Sequence, residues 1–170
     1  TLFRSVTRMW VDGQFIHITG TGYAPTGDFL VDGKKKNISE YPAALTALWI
    51  GLLNNDALLE TTGEDEKQKT YRVVGDPTEG SLLVAAMKAG AMHMDIRDAY
   101  PRENEVPFDS DRKRMITIHD VFAPRPGDPS PFTDESHKSW DVIAVKGAPD
   151  VVLELCTQYQ NMDDESVPLG

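Results

Sequence analysis

The chain has 170 residues, a formal net charge of −10 and a single cysteine, Cys156. That length suffices for one domain with a real core, and the acidity argues against a general nucleic-acid binder, whose phosphate contacts need Lys and Arg. A lone cysteine leaves no internal disulfide and no cysteine-built zinc site, so a reducing, cytosolic setting is the default.

No apolar run approaches the ~20 residues that a membrane helix needs. The start, TLFRSVTRMW, lacks the apolar segment of a secretory signal. The basic residues cluster at Lys34-Lys35-Lys36 and Arg112-Lys113-Arg114, which leaves room for a small anionic ligand in a local positive pocket.

In chain order, residues 8–19 alternate around Asp12-Gly13 and predict a hairpin. GTGYAPTGDF reads as a loop, and the triple lysine leads into a helix over 39–54, capped by Ser39 with Pro42 in its first turn. Its inward face carries Tyr41, Leu45, Leu48, Trp49, Leu52 and Leu53. Residues 60–70 read as a solvated loop and 71–74 as a short strand. A second helix over 77–89 turns Leu82, Leu83, Ala86 and Met87 inward. Strands are expected over 103–108, 114–121 and 140–146, with a proline-rich loop over 123–139 between the last two. Pro149 opens a short helix bearing Val152, Leu155, Cys156 and Tyr159, and the tail NMDDESVPLG has no periodicity. The pattern predicts an α+β fold, an antiparallel sheet covered by helices, forming a single domain over 1–170. The common glycine-rich phosphate loops are absent.

Three stretches carry candidate chemistry. In GDPTEG, Glu79 stands three residues after Asp76 and Pro77 opens the helix. Glu79 either closes a capping box or accepts from a ligand amino group. In PFDSDRKRM, Phe108 is either a core residue beside a salt-laced turn or a platform for a purine, with Lys113 at phosphate oxygens. In VKGAPD, Lys146 ends a strand and either reaches water or lines a pocket that Gly147 keeps open. The four histidines, His17, His93, His119 and His137, are scattered without metal-ligand spacing, and no catalytic nucleophile with a matching base is evident.

Taken in series, GDPTEG, PFDSDRKRM and VKGAPD resemble the nucleotide-binding domain of P-type cation-transporting ATPases, closest to bacterial calcium-pump-like members. The opening VTRMWVDGQFIHITGTGYAPTGDF is similar to the segment after the phosphorylation site in those pumps. The resemblance implies a cytoplasmic domain of an integral membrane pump that holds ATP. Phe108 would stack on adenine, and Glu79 would bond to its amino group. Lys146 would line the deep end of the pocket with Gly147 beside the base. Lys113 and Met115 would flank the nucleotide, and Ser110 would lie near the rim.

The phosphorylated motif DKTGT is absent. Thr1-Leu2 would be the remnant of its end, and residues 1–5 would include a junction, because Phe3-Arg4-Ser5 departs from the pattern. The resemblance therefore implies ATP binding without hydrolysis, no catalytic residue and no metal ligand in this chain. Magnesium would bind with the phosphorylation domain. The implied partners are the phosphorylation and actuator domains of the same pump, with no nucleic acid, no direct insertion into the membrane and a monomeric state. The competing reading is an acidic, non-catalytic protein-interaction domain.

Overall fold

The computed structural model describes all residues except 1–3, 64–68, 92–95, 123–129 and 133–137, with the backbone alone for 96–97. Two Asp-Gly pairs set its beginning. Asp12 and Gly13 have φ of 45° and 74°, and Asp32 and Gly33 have 49° and 73°, the left-handed pair that a two-residue hairpin turn requires. The first joins β1 (Arg8–Val11) to β2 (Gln14–Ile18), as expected. The second joins β3 (Phe29–Val31) to β4 (Lys34–Lys36), a hairpin the sequence reading passed over. The four strands form one antiparallel sheet in the order β1-β2-β3-β4. The triple lysine is therefore an edge strand rather than a lead-in to a helix. Three exposed ammonium groups suit such an edge, where they discourage pairing with another chain.

A 3-10 turn (Ile38–Glu40) precedes helix α1 (Pro42–Leu53). Ser39 is not the cap: it lies inside the 3-10 turn, and its N–H donates to Asn37 Oδ1 at 3.3 Å. Pro42 does open α1. Ala43 and Ala44 are buried along with Leu45, Leu48, Trp49, Leu52 and Leu53, so the helix is covered on more than one stripe. Strands β5 (Leu58–Thr62) and β6 (Thr70–Val74) pair with each other. The charged stretch expected as loop thus contributes Glu60–Thr62 to a strand, while its middle lies outside the described residues. Helix α2 (Pro77–Lys88) packs on α1, β5 and β6. Leu83 and Ala86 are buried, whereas Leu82 and Met87 are half-buried.

After a short helix α3 (Ile96–Ala99), β7 (Arg102–Asp109), β8 (Arg114–Phe122) and β9 (Ser139–Gly147) make a three-stranded antiparallel sheet. All three strands match expectation to within a few residues. Most of the proline-rich loop between β8 and β9 lies outside the described residues. Helix α4 (Pro149–Leu153) is shorter than expected, and none of its residues is buried. Only Val151 and Val152 are half-buried, against β9, so packing adds little to so short a helix. Leu155 and Cys156 lie beyond it, and Tyr159 belongs to β10 (Gln158–Gln160). Strand β10 pairs with β11 (Ser166–Pro168), so the tail forms a hairpin despite its lack of pattern.

Among the described residues every strand pairing is antiparallel and strands outnumber helices, in keeping with an α+β class. One buried cluster joins the first sheet (Ile16, Phe29), α1 (Trp49), α2 (Leu83) and the three-stranded sheet (Val121, Ala144). Helix α1 lies against β9, so its C-terminal end arrives at the sheet beside Lys146.

Candidate functional site

The connector after α1 is held from several sides. Asn54, fully buried, donates from Nδ2 to the carbonyls of Met115 (2.9 Å) and Ala144 (2.8 Å), pinning the helix end to β8 and β9. Asn55 donates to the carbonyls of Gly51 (3.0 Å) and Glu79 (2.8 Å). Arg102, at the start of β7, donates to the Leu53 and Asn55 carbonyls at 3.2 and 2.8 Å. It also pairs with Asp56 (2.7 Å) and Glu105 (2.8 Å). Burial works against the Arg102 charge, but these two carboxylates outweigh it and raise its pKa.

On this frame two predicted residues meet. Lys146 donates to Glu79 Oε1 at 2.7 Å and to the Asn54 carbonyl at 2.6 Å. The other carboxylate oxygen, Glu79 Oε2, accepts from the Asp56 N–H at 3.1 Å. The pair is largely enclosed, with side-chain exposures of 26% for Lys146 and 19% for Glu79. Capping falls to Asp76, whose Oδ1 accepts from the N–H groups of Thr78 (2.7 Å) and Glu79 (3.2 Å). These bonds also lower the Asp76 pKa. The Glu79 carboxylate serves the connector and the lysine rather than the helix start. A carboxylate offers about four acceptor positions and an ammonium three donors, so neither partner is saturated.

Phe108 sits in a bulge. Val106 faces Ile116 and Asp109 faces Arg114, so β7 carries one residue more than β8 between those pairs. Pro107, which cannot donate to a ladder, fits at such a place. Phe108 is 63% exposed, which removes it from the core. The turn beyond is built by Asp109, whose Oδ1 accepts from the N–H groups of Asp111 (3.0 Å) and Arg112 (2.9 Å). The Arg112 bond is the main reason its pKa is lowered. Ser110 and Lys113 are exposed on this turn, with Lys113 at φ 50°.

Met115 pairs with Lys146 in register but is buried at 4%. Gly147 faces Arg114, and a Cβ there would stand 2.5 Å from the Lys113 carbonyl oxygen. Close approach of β9 to the start of β8 therefore requires this glycine whether or not a ligand binds.

The fold thus joins Glu79 to Lys146 directly and sets Met115 beside them. Phe108 lies two strands away from Lys146 in the same sheet, and Ser110 and Lys113 remain at the turn. Sequence reasoning missed Asn54, Asn55, Asp56 and Arg102. Three consecutive polar residues directly after an apolar helix, Asn54-Asn55-Asp56, were the available signal.

On the far side of the connector lies a cavity of about 540 Å³, lined in part by Leu58, Leu83, Met87, Arg102 and His119. None of the predicted site residues lines it. Among the described residues no group of three His, Cys, Asp or Glu gathers as metal ligands, and no helix is long and apolar enough to cross a membrane.

The sequence profile described as P-type ATPase, cytoplasmic domain N, matches residues 45–170. A calcium-transporting ATPase of Bacillus subtilis is 32% identical over 150 residues, covering 88% of this chain and 15% of that protein. The cation-transporting ATPase pma1 of Synechocystis is 35% identical over 127 residues, 68% of this chain and 13% of that protein. A probable cation-transporting ATPase F of Mycobacterium bovis is 33% identical over 168 residues, 97% of this chain and 16% of that protein. The chain thus spans only 13% to 16% of the length of these relatives. Matching over most of its own length both the profile and these pumps, the chain belongs to the cytoplasmic N-domain family of P-type cation-transporting ATPases.

Proposed function

We propose that this domain holds ATP by its adenine and presents the triphosphate to an acceptor aspartate in another domain of the same pump, one of calcium type. The observation that carries this reading is the enclosed Glu79–Lys146 pair, made from segments 67 residues apart, in a domain whose sheet also bears an exposed aromatic, Phe108. Phe108 stacks on the base. Glu79 uses a remaining acceptor position for the adenine amino group. Lys146, held by Glu79 and the Asn54 carbonyl, has one donor left for the nucleotide. Lys113 and Met115 flank the nucleotide, with Lys113 near the phosphates, Gly147 forms the pocket wall and Ser110 lies near the rim.

The chain's part is positioning. Phosphoryl transfer depends largely on placement and charge neutralisation, and transfer to an aspartate forms a covalent intermediate. The acceptor carboxylate and the magnesium site are assigned to the phosphorylation domain, which with the actuator domain is the proposed partner on the cytoplasmic side. The isolated domain therefore binds ATP without turning it over.

An ATP titration followed by amide NMR shifts tests this. Saturable shifts at Glu79, 108–115 and 146–147 are expected. ADP should bind within about tenfold of ATP, a gap of ~1.4 kcal/mol, with little gain from magnesium. A chain that shows no saturable shift with millimolar ATP would instead be an acidic interaction domain.

A further inference from the structure

The short connector between α1 and β5 touches both members of the Glu79–Lys146 pair through its main chain. The Asn54 carbonyl accepts from Lys146 at 2.6 Å, and the Asp56 N–H donates to Glu79 Oε2 at 3.1 Å. Asn54, Asn55 and Asp56 belong to no helix or strand, so no regular ladder fixes the direction of their peptide groups. Arg102 supplies that direction. Its Nη2 donates to the carbonyls of Leu53 (3.2 Å) and Asn55 (2.8 Å), the two that flank the Asn54 carbonyl. With its neighbours held by Arg102, the Asn54 carbonyl is left to Lys146.

One peptide unit is gripped at both ends. The Asn55 carbonyl accepts from Arg102, while the N–H of the same unit, on Asp56, donates to Glu79. In a planar trans peptide these two groups point in opposite directions, so the unit is a rigid spacer from guanidinium to carboxylate. A cation on its carbonyl also polarises the unit and strengthens its N–H as a donor. Arg102 thus bears on one oxygen of Glu79 while Lys146 holds the other. It has little left for a ligand. Nη1 donates to Asp56 (2.7 Å) and Glu105 (2.8 Å), so each amino group makes two bonds, the most its hydrogens allow. Strand β7 begins with Arg102 and carries Phe108 near its other end, so the same residue ties the strand of the exposed aromatic to the connector.

We propose that Arg102 is a positioning residue for the nucleotide: through the peptide unit between Asn55 and Asp56 it aims the Glu79 carboxylate, and through the flanking carbonyls it keeps the Asn54 carbonyl turned to Lys146. This role rests on the nucleotide reading given above.

The test compares the unaltered 170-residue chain with Arg102→Met, by ATP titration and by amide hydrogen exchange without nucleotide. Arg102→Met should weaken ATP binding about fivefold, the typical worth of one hydrogen bond, and speed exchange at the Asp56 N–H by a similar factor. The Thr78 and Glu79 N–H groups, which Asp76 holds, should exchange as before. Equal acceleration at all three is a general loosening and overturns the proposal. Glu79→Gln separates positioning from stability. Glutamine has one oxygen, which Lys146 claims, and so offers no acceptor to the Asp56 N–H. In that background Arg102→Met should cost ATP binding much less, and an undiminished loss counts against Arg102 acting through Glu79. Arg102→Lys keeps the charge without the fork and should fall between the two. It carries the test where the methionine variant does not fold, and unaltered ATP affinity with unaltered Asp56 exchange in it defeats the proposal. ATP binding by the unaltered chain with no loss in Arg102→Met strikes this inference alone, whereas no saturable binding by the unaltered chain strikes the nucleotide reading beneath it.

Discussion

Two lysines bracket helix α2 and are held in contrasting ways. At its N-terminal end Lys146 reaches in from β9 to the Glu79 carboxylate and one carbonyl. At its C-terminal end the helix's own Lys88 reaches out to two carbonyls, Thr19 at 2.8 Å and Gly20 at 3.1 Å, fastening the long loop after β2. Among the described residues no carboxylate pairs with Lys88, and burial lowers its pKa. The difference separates a clasp from a candidate site. Carbonyl dipoles can hold an ammonium group in place, but only a paired carboxylate gives a neighbouring ligand both an acceptor and a donor at one spot.

The contrast breaks most sharply at Lys146. Lys146→Met leaves the enclosed Glu79 carboxylate without its cation. For fully buried pairs, removing one partner costs about 3–5 kcal/mol; partial exposure of this pair brings the expectation to about 2–3 kcal/mol of unfolding free energy. Adding Glu79→Gln to it should recover part of the loss, which urea unfolding of the double-mutant cycle measures. Strict additivity would mean that the two side chains do not act as a pair.

Phe108→Ala comes next. The ring is exposed, so its loss should leave the melting temperature nearly unchanged while ATP affinity falls by about 1–2 kcal/mol, within the usual range for an aromatic–base stack. Unaltered affinity would remove Phe108 from the site. Glu79→Gln alone should act more gently, since the amide oxygen still accepts but more weakly than a carboxylate. The loss for ATP should be modest and larger than that for GTP, which lacks the amino group at that position. Equal losses would argue against the adenine contact.

The smallest effect is a slope. Because the folded-state pKa of Lys88 lies below its ordinary 10.5, the unfolded chain binds more protons just below that pH. Stability then gains a contribution that rises with pH through that window and falls away below it. The stability difference between the native chain and Lys88→Met should rise with pH over that interval, while ATP binding is the same in both. A difference that falls with pH there would contradict the burial of Lys88.

The candidate pair was legible because each partner carries a local signature. Asp76-Pro77 announces a helix start with Glu79 on its first turn, and Lys146-Gly147 announces a strand end. Their meeting was not legible, since no spacing in the chain encodes a contact across 67 residues. The connector that joins them was missed for a related reason. Asn54 works through its side-chain amide to two strands far along the chain, and an asparagine after a helix reads locally as nothing more than an end.

The two Asp-Gly hairpins make the same point at the level of the fold. Their turn dihedrals are nearly identical, but β1 and β2 alternate visibly whereas β3 has three residues and β4 is three lysines. Composition hid the second hairpin, although the turn chemistry was the same. The hairpin of β10 and β11 was hidden more completely. Its turn is organised by Asn161, whose Oδ1 accepts from the N–H groups of Asp163 (3.0 Å) and Glu165 (2.8 Å), and short exposed strands leave no alternation to read.

The bulge in β7 has a bearing on how such a domain can change by insertion and deletion. Between Val106 and Asp109 the strand carries one residue more than its partner, so losing a residue there would restore a regular ladder instead of breaking one. Side chains in a strand alternate between faces, and the shift would therefore alter the phase of whatever residue inherits the aromatic position, while the flanking pairs keep their partners. A lineage could re-aim this exposed aromatic position by a single codon's deletion, a step that in the uninterrupted ladder of β8 and β9 would carry every later side chain to the wrong face.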